Sequence, residues 1–144
     1  MHHYTGCGLR NVYLKSGYRK HKTPYGDGIS IDDAQGLHRA IALYLVGHKP
    51  RLSGTEFRFL RKELELTQAQ LASLLGNDAQ SVALWEKTGR VPKWADLMVR
   101  ALYREVVEGK AGIVELAERL NRKIEDEPAR ITFSGTKSGW KAAA

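Results

Sequence analysis

Two short segments, each with a complete set of helix-start signals, constrain the fold of this chain more than any other feature. In "LSGTEF", Ser53 is followed three residues later by Glu56, and in "LTQAQL" Thr67 is followed at the same spacing by Gln70. This is the spacing of a capping box, in which the cap and the third residue each bond the other's backbone N–H group. Apolar residues on both sides of each cap add a hydrophobic staple. The pattern therefore predicts two helices in close succession.

The second of these helices ends at a glycine and is followed at once by another helix start. The caps place the first two helices over about 54–65 and 68–75. Gly76 can take the left-handed backbone conformation that ends a helix, and Asp78 can cap a third helix over about 78–87. Two short helices joined by a glycine-containing turn are typical of a helix-turn-helix unit. An ordinary helical hairpin is the alternative, but it gives no reason for two successive capping boxes.

The third helix is predicted to have a buried side and an exposed side. Val82 and Trp85 are the apolar positions expected to enter the core, and small Ala72 allows the second helix to come close. The residues expected to face outward are Ala79, Gln80, Ser81, Ala83 and Leu84.

The segment before these helices predicts a small unit of strands and one helix. Short runs such as "NVYL", "YRKHK" and "ISI" alternate with turn residues up to residue 31. Apolar residues then recur at helical spacing after an aspartate pair, with Gly47 as the expected end; they are Leu37, Ile41, Tyr44 and Leu45.

The segment after them predicts further helices and a terminal strand. Pro92 precedes a fourth helix over about 93–108, and a fifth is expected over about 112–122. "RITFSG" and "SGW" then predict a strand or hairpin. The fold class is mostly α, within α+β, with a small N-terminal unit (1–50), a helix-turn-helix domain (51–109) and a C-terminal helix and strand (110–144).

Charge and cysteine content limit the function classes. The 144 residues carry a formal net charge of +7, which suits a polyanionic partner. The "YRKHK" cluster suits either an exposed edge strand or an auxiliary phosphate contact. Cys7 is the single cysteine, the histidines are scattered, and no acid, base and nucleophile converge in the pattern, so neither an enzyme, a metal site nor a cofactor is expected. The absence of a signal-peptide core and of a long apolar run predicts a cytoplasmic protein without a membrane partner.

The residues that carry the helix-turn-helix prediction also carry a family resemblance. "LTQAQLASLLGNDAQSVALWEKTGRVP" (66–92) resembles the phage-repressor-like (Xre) helix-turn-helix domain, over about 55–108. "YTGCGLRNVYL", "TPYGDGISI" and "GLHRAIALYL" resemble the N-terminal part of MqsA-like antitoxins and regulators. Zinc-binding members of that group use two Cys-x-x-Cys pairs, which this chain lacks, so its N-terminal unit is expected to be held by packing alone. Leu84 stands where MqsA-like proteins have a base-reading arginine, so a different DNA target is expected.

The resemblance implies roles for individual residues. Gln80 is the chief base reader, because an amide can bond adenine twice in the major groove; Ser81, Ala79, Ala83 and Leu84 are weaker base contacts. The residues implied as phosphate contacts are Thr67 and Gln68 at the start of the second helix, and Lys87, Arg90 and Lys93 after the third. For Gln80 and these cations, simple solvation is the alternative. Arg61 and Glu86 are implied as an ion pair that ties the reading helix to the first helix, against two solvated charges.

The sequence therefore predicts a sequence-specific regulator of double-stranded DNA, and most simply a repressor. It is expected to bind an inverted repeat as a homodimer, with the dimer surface after Gly109. The alternative is an antitoxin whose main role is to bind a toxin protein. RNA binding is less favoured, because no aromatic stacking platform is present.

Overall fold

The structure, a computed structural model, describes residues 1–109 and 130–143. The described part contains five helices and three two-stranded antiparallel sheets. The helices are α1 (Ala34–His48), α2 (Gly54–Glu63), α3 (Gln68–Leu75), α4 (Ala79–Thr88) and α5 (Lys93–Glu108). The strands are β1 (His2–Tyr4), β2 (Val12–Leu14), β3 (Tyr18–Thr23), β4 (Gly26–Ile31), β5 (Phe133–Thr136) and β6 (Gly139–Ala142).

The N-terminal strands form two separate sheets. β2 pairs back with β1, with His2 opposite Leu14, and β3 pairs forward with β4, with Tyr18 opposite Ile31. The two strands on either side of the 15–17 turn therefore have different partners. The "YRKHK" residues of β3 are exposed except for Tyr18, which is half-buried, so the cluster remains available to solvent or to an anion.

α1 begins where the aspartate pair predicted it, but it ends one residue later than predicted. Asp33 caps the helix by accepting from the N–H of Gly36 at 3.1 Å. The helix ends at His48 rather than at Gly47, because the Lys49 N–H still bonds the carbonyl of Leu45. Of the apolar residues at helical spacing, Leu45 is buried and Tyr44 is exposed.

The four following helices agree closely with the capping signals. Both capping boxes are present, with Ser53 and Thr67 as caps, and the observed bounds of α3 and α5 equal the predicted ones. α2 ends two residues early, at Glu63. The reason is a tight turn: the Glu65 N–H bonds the carbonyl of Lys62, the Leu66 N–H bonds that of Arg61, and Glu65 has a positive φ of 58°.

One apolar core joins all five helices. Phe57, Leu60, Leu71, Val82 and Val99 are fully buried at its centre, and Trp85 closes one side. The Trp85 ring lies edge-on to Phe57 at 6.1 Å and to Trp94 at 5.6 Å, a favoured arrangement for aromatic pairs. The predicted inward position of Val82 and Trp85 is confirmed, and it determines which side of α4 faces outward.

Polar bonds, and not packing alone, attach the N-terminal unit to the helical domain. Arg100 of α5 donates to three carbonyls near the end of α1, at 2.7–3.5 Å; these belong to Leu45, Val46 and Lys49. Asp96 accepts from Arg100 at 2.6 Å and from the Leu52 N–H at 2.8 Å. The expectation of packing alone is thus wrong, because a carboxylate and a guanidinium from α5 bind the backbone of the junction.

The C-terminal hairpin consists of β5 and β6, with Phe133 opposite Ala142. All of its residues are exposed. The helix predicted over 112–122, after α5, lies outside the described residues. Within the part that the structure describes, no helix is long and apolar enough to span a membrane.

Candidate nucleic-acid interface

The α3–turn–α4 unit is fixed by backbone bonds at a single glycine. Gly76 has a φ of 70°, in the left-handed region that a side chain would disfavour. The Asn77 N–H then bonds the carbonyl of Ala72 at 2.8 Å, which closes the end of α3. Ala72 is buried between the helices, so its small side chain allows α4 to start directly beside α3.

The outward face of α4 presents an amide and an apolar side chain one turn apart. Gln80 is exposed, and Leu84 has a relative exposure of 58%. The other predicted base contacts, Ala79, Ser81 and Ala83, are half-buried. Since Val82 and Trp85 hold the opposite face in the core, α4 cannot rotate Gln80 inward without losing that packing.

The start of α4 is defined by Asp78. Its carboxylate accepts from the Ser81 N–H at 2.7 Å. This backbone hydrogen bond, followed by one from the Ser81 side chain, lowers the pKa of Asp78. The cap therefore places Gln80 in the first turn of α4, where backbone N–H groups have no partner within the helix.

The support of α4 is a buried ion pair between Arg61 and Glu86. The Arg61 guanidinium donates to both carboxylate oxygens, at 2.7 and 3.0 Å, and also to the carbonyl of Leu66 at 2.9 Å. The two side chains are only 9% and 5% exposed. The pair implied by the family resemblance is thus present, and it fixes the end of α4 to α2 and to the α2–α3 turn.

Gln68, which is predicted to contact a phosphate, also bonds a side chain of the protein. Its amide nitrogen donates to Glu86 at 3.1 Å, which leaves the second amide hydrogen for another acceptor. The capping box satisfies the N–H groups of Thr67 and Gln70. The remaining backbone donors of this first turn, at Gln68 and Ala69, stay available for an anion.

A cleft of about 660 Å³ lies where α2, α3 and α4 meet. Thr67, Gln68 and Lys87 line it, as predicted phosphate contacts that the fold brings together. Arg58 lines the same cleft and was not singled out from the sequence. The sequence pattern that indicates it is its position three residues before Arg61, which places both residues on one side of α2.

Arg90 and Lys93 are not part of this cleft. Both are exposed and follow the end of α4, where Gly89 has a φ of 75°. They lie beside the turn into α5 and do not line the cleft at the start of α3.

Comparisons of the chain with family models, with curated proteins and with solved structures found no match.

Proposed function

We propose that the chain is a cytoplasmic, sequence-specific regulator of double-stranded DNA that places α4 in the major groove. The observation that carries the proposal is the exposed pair Gln80 and Leu84 on a helix whose opposite face is locked in the core. A side chain amide can bond adenine twice, and leucine can contact a thymine methyl. The sequence resemblance to Xre domains supports the same reading element.

The donors beside α4 have the arrangement that a DNA backbone requires. The first turn of α3 offers free N–H groups, and Lys87 lines the cleft next to it. Phosphate contacts of this kind fix the position of a protein on the duplex but carry no sequence information. The proposal therefore separates Gln80, which reads sequence, from Lys87, which holds the backbone.

The test begins with selection of a preferred duplex from random sequences, followed by titration of variants. Gln80→Ala should weaken the preferred duplex by a free energy of about 1–3 kcal/mol and relax the preference at one base pair per half-site. Lys87→Ala is the matched control, and it should weaken preferred and scrambled duplexes by the same factor. If Gln80→Ala also lowers both affinities equally, α4 is not the reading element.

A second candidate function is that of an antitoxin. The observation in its favour is a mostly apolar groove of about 350 Å³ between β2 and α1, with the exposed rings of Tyr13 and Tyr44 on its rim. Aromatic residues are enriched in protein interfaces. Co-expression with the product of the adjacent reading frame tests this role, and Tyr44→Ala should then release that product.

A further inference from the structure

A second cleft, of about 380 Å³, lies on the other side of α2, against the N-terminal unit. Its walls are α2 and the turn formed by residues 5–8. Thr55 and Arg58 line both this cleft and the one beside α3. The two clefts are therefore neighbours, separated only by one ridge of α2.

The second cleft carries positive charge that is unpaired within the described residues. Arg58 and Lys62 are exposed, and in the described part of the chain no carboxylate lies within ion-pair distance of either. Glu63 also lines the cleft, but one of its oxygens lies 2.8 Å from the ring of His38. Arg61 on the same helix is paired with Glu86. Among the described residues, α2 therefore carries one cation with a carboxylate partner and two without.

The spacing of these two cations suits a chain of phosphates. Arg58 and Lys62 are four residues apart on α2, which is about 6 Å along the helix axis. Like charges at this spacing repel each other, and a polyanion would remove that repulsion. The facing turn contains Gly6 and Gly8, so no side chain of these two residues fills the cleft.

We propose that the DNA backbone bound at the start of α3 continues across α2 into this second cleft. Arg58 then serves both clefts, and Lys62 holds a further phosphate beside the 5–8 turn. The inference rests on the proposed function and deepens it, because it makes the N-terminal unit part of the DNA-binding surface. An acidic peptide is the competing occupant. The continuity with the free N–H groups of Gln68 and Ala69 favours DNA.

The experiment measures the affinity of the full chain for its selected duplex at several salt concentrations. Each lost phosphate contact should reduce the slope of log K against log salt by about 0.9. We expect this reduction for Arg58→Ala and for Lys62→Ala, with equal weakening of preferred and scrambled duplexes. Arg58→Lys should restore the slope. Arg104→Ala removes an exposed cation from α5 and should leave the slope unchanged.

Phosphate ethylation interference then locates the contact. In wild type, ethylation should interfere at a phosphate whose signal disappears in Lys62→Ala but persists in Lys87→Ala. If both α2 variants keep the wild-type slope while Lys87→Ala lowers it, the second cleft does not hold DNA, and the proposed function stands. If Lys87→Ala and Gln80→Ala also bind as wild type does, both proposals fail. Loss of binding to a polyglutamate peptide alone would assign the cleft to an acidic partner instead.

Discussion

At the scale of single residues, Glu86 shows how one buried carboxylate can organise a surface. It accepts hydrogen bonds from Arg61 and from Gln68. It therefore connects Arg61, which supports α4, with Gln68, which is expected to contact a DNA phosphate. A buried ion pair contributes little net stability compared with apolar residues of the same volume, but removal of one partner leaves an unpaired charge. Substitution of Glu86 is therefore expected to have a large effect on stability, although the ion pair itself contributes little net stability.

We expect Glu86→Ala to lower the free energy of unfolding by about 3–5 kcal/mol, because the Arg61 charge stays buried without its carboxylate counter-charge. The double variant Arg61→Met, Glu86→Leu should recover most of this loss. Urea denaturation of the three proteins tests the expectation. A single variant as stable as wild type would mean that Arg61 finds another partner.

The cap residue Asp78 gives a prediction for pH. Hydrogen bonds from the first turn of α4 lower its pKa in the folded protein. Its contribution to stability is therefore complete above the unfolded-state pKa of about 4, and is lost as the pH falls through the lower, folded-state value. Asp78→Asn retains an acceptor but not the charge, so its stability should depend less on pH in this acidic range. Parallel acid-denaturation curves for the two proteins would contradict the assignment.

At the scale of helices, the start of α2 touches the end of α4. A Cβ atom at Gly54 would overlap the carbonyl oxygen of Glu86 and come within 3.0 Å of that of Trp85. Gly54 is buried at this contact. The absence of a side chain at Gly54 therefore sets the distance between α2 and α4.

Gly54→Ala should lower the free energy of unfolding by about 1–3 kcal/mol, the usual cost of overpacking, and shift α4 relative to α3. Gly47→Ala is the matched control, because its added Cβ would meet only the Arg104 side chain at an ordinary 3.6 Å. That control should be neutral or stabilising, since alanine is the better helix former. Thermal denaturation compares the melting temperatures of the two variants. Equal values would show that α4 moves to accommodate the added Cβ atom without loss of stability.

The elements also show which parts of the fold are predictable from sequence. Helix starts were predicted correctly because a capping box involves residues three apart. The strand partners of β2 and β3 and the contact at Gly54 depend on residues distant in the chain, and no local pattern encodes them. For the same reason the exposed face of α4 was predictable, whereas the bond from Gln68 to Glu86 and the place of Arg58 between two clefts were not.

At the scale of the whole molecule, the C-terminal hairpin is notable for two large aromatic residues that it exposes. Phe133 and Trp140 are 60% and 80% exposed on a two-stranded sheet, and such a sheet is only marginally stable by itself in water. The homodimer formed after Gly109 stays a prediction, and it would cover these two rings. Two copies would also double the number of base pairs read, as an inverted repeat requires.

Light scattering should give the mass of a dimer for the wild-type chain, and Phe133→Ser with Trp140→Ser should shift it toward the monomer. Tyr25→Ser is the matched control, because Tyr25 is a fully exposed aromatic residue at the β3–β4 turn. A wild-type chain that is monomeric both free and on its selected duplex would refute the dimer.

The bonds from Arg100 to the end of α1 determine which end of that helix is expected to open first. Its last carbonyls are held by a guanidinium from α5, whereas its first turn depends on the exposed Asp33, whose φ of 49° is itself strained. We therefore expect local opening to start at Ala34 and to move toward His48. Amide hydrogens of the first turns should exchange with solvent before those of the last turns, and the β3–β4 hairpin should separate from the domain together with them.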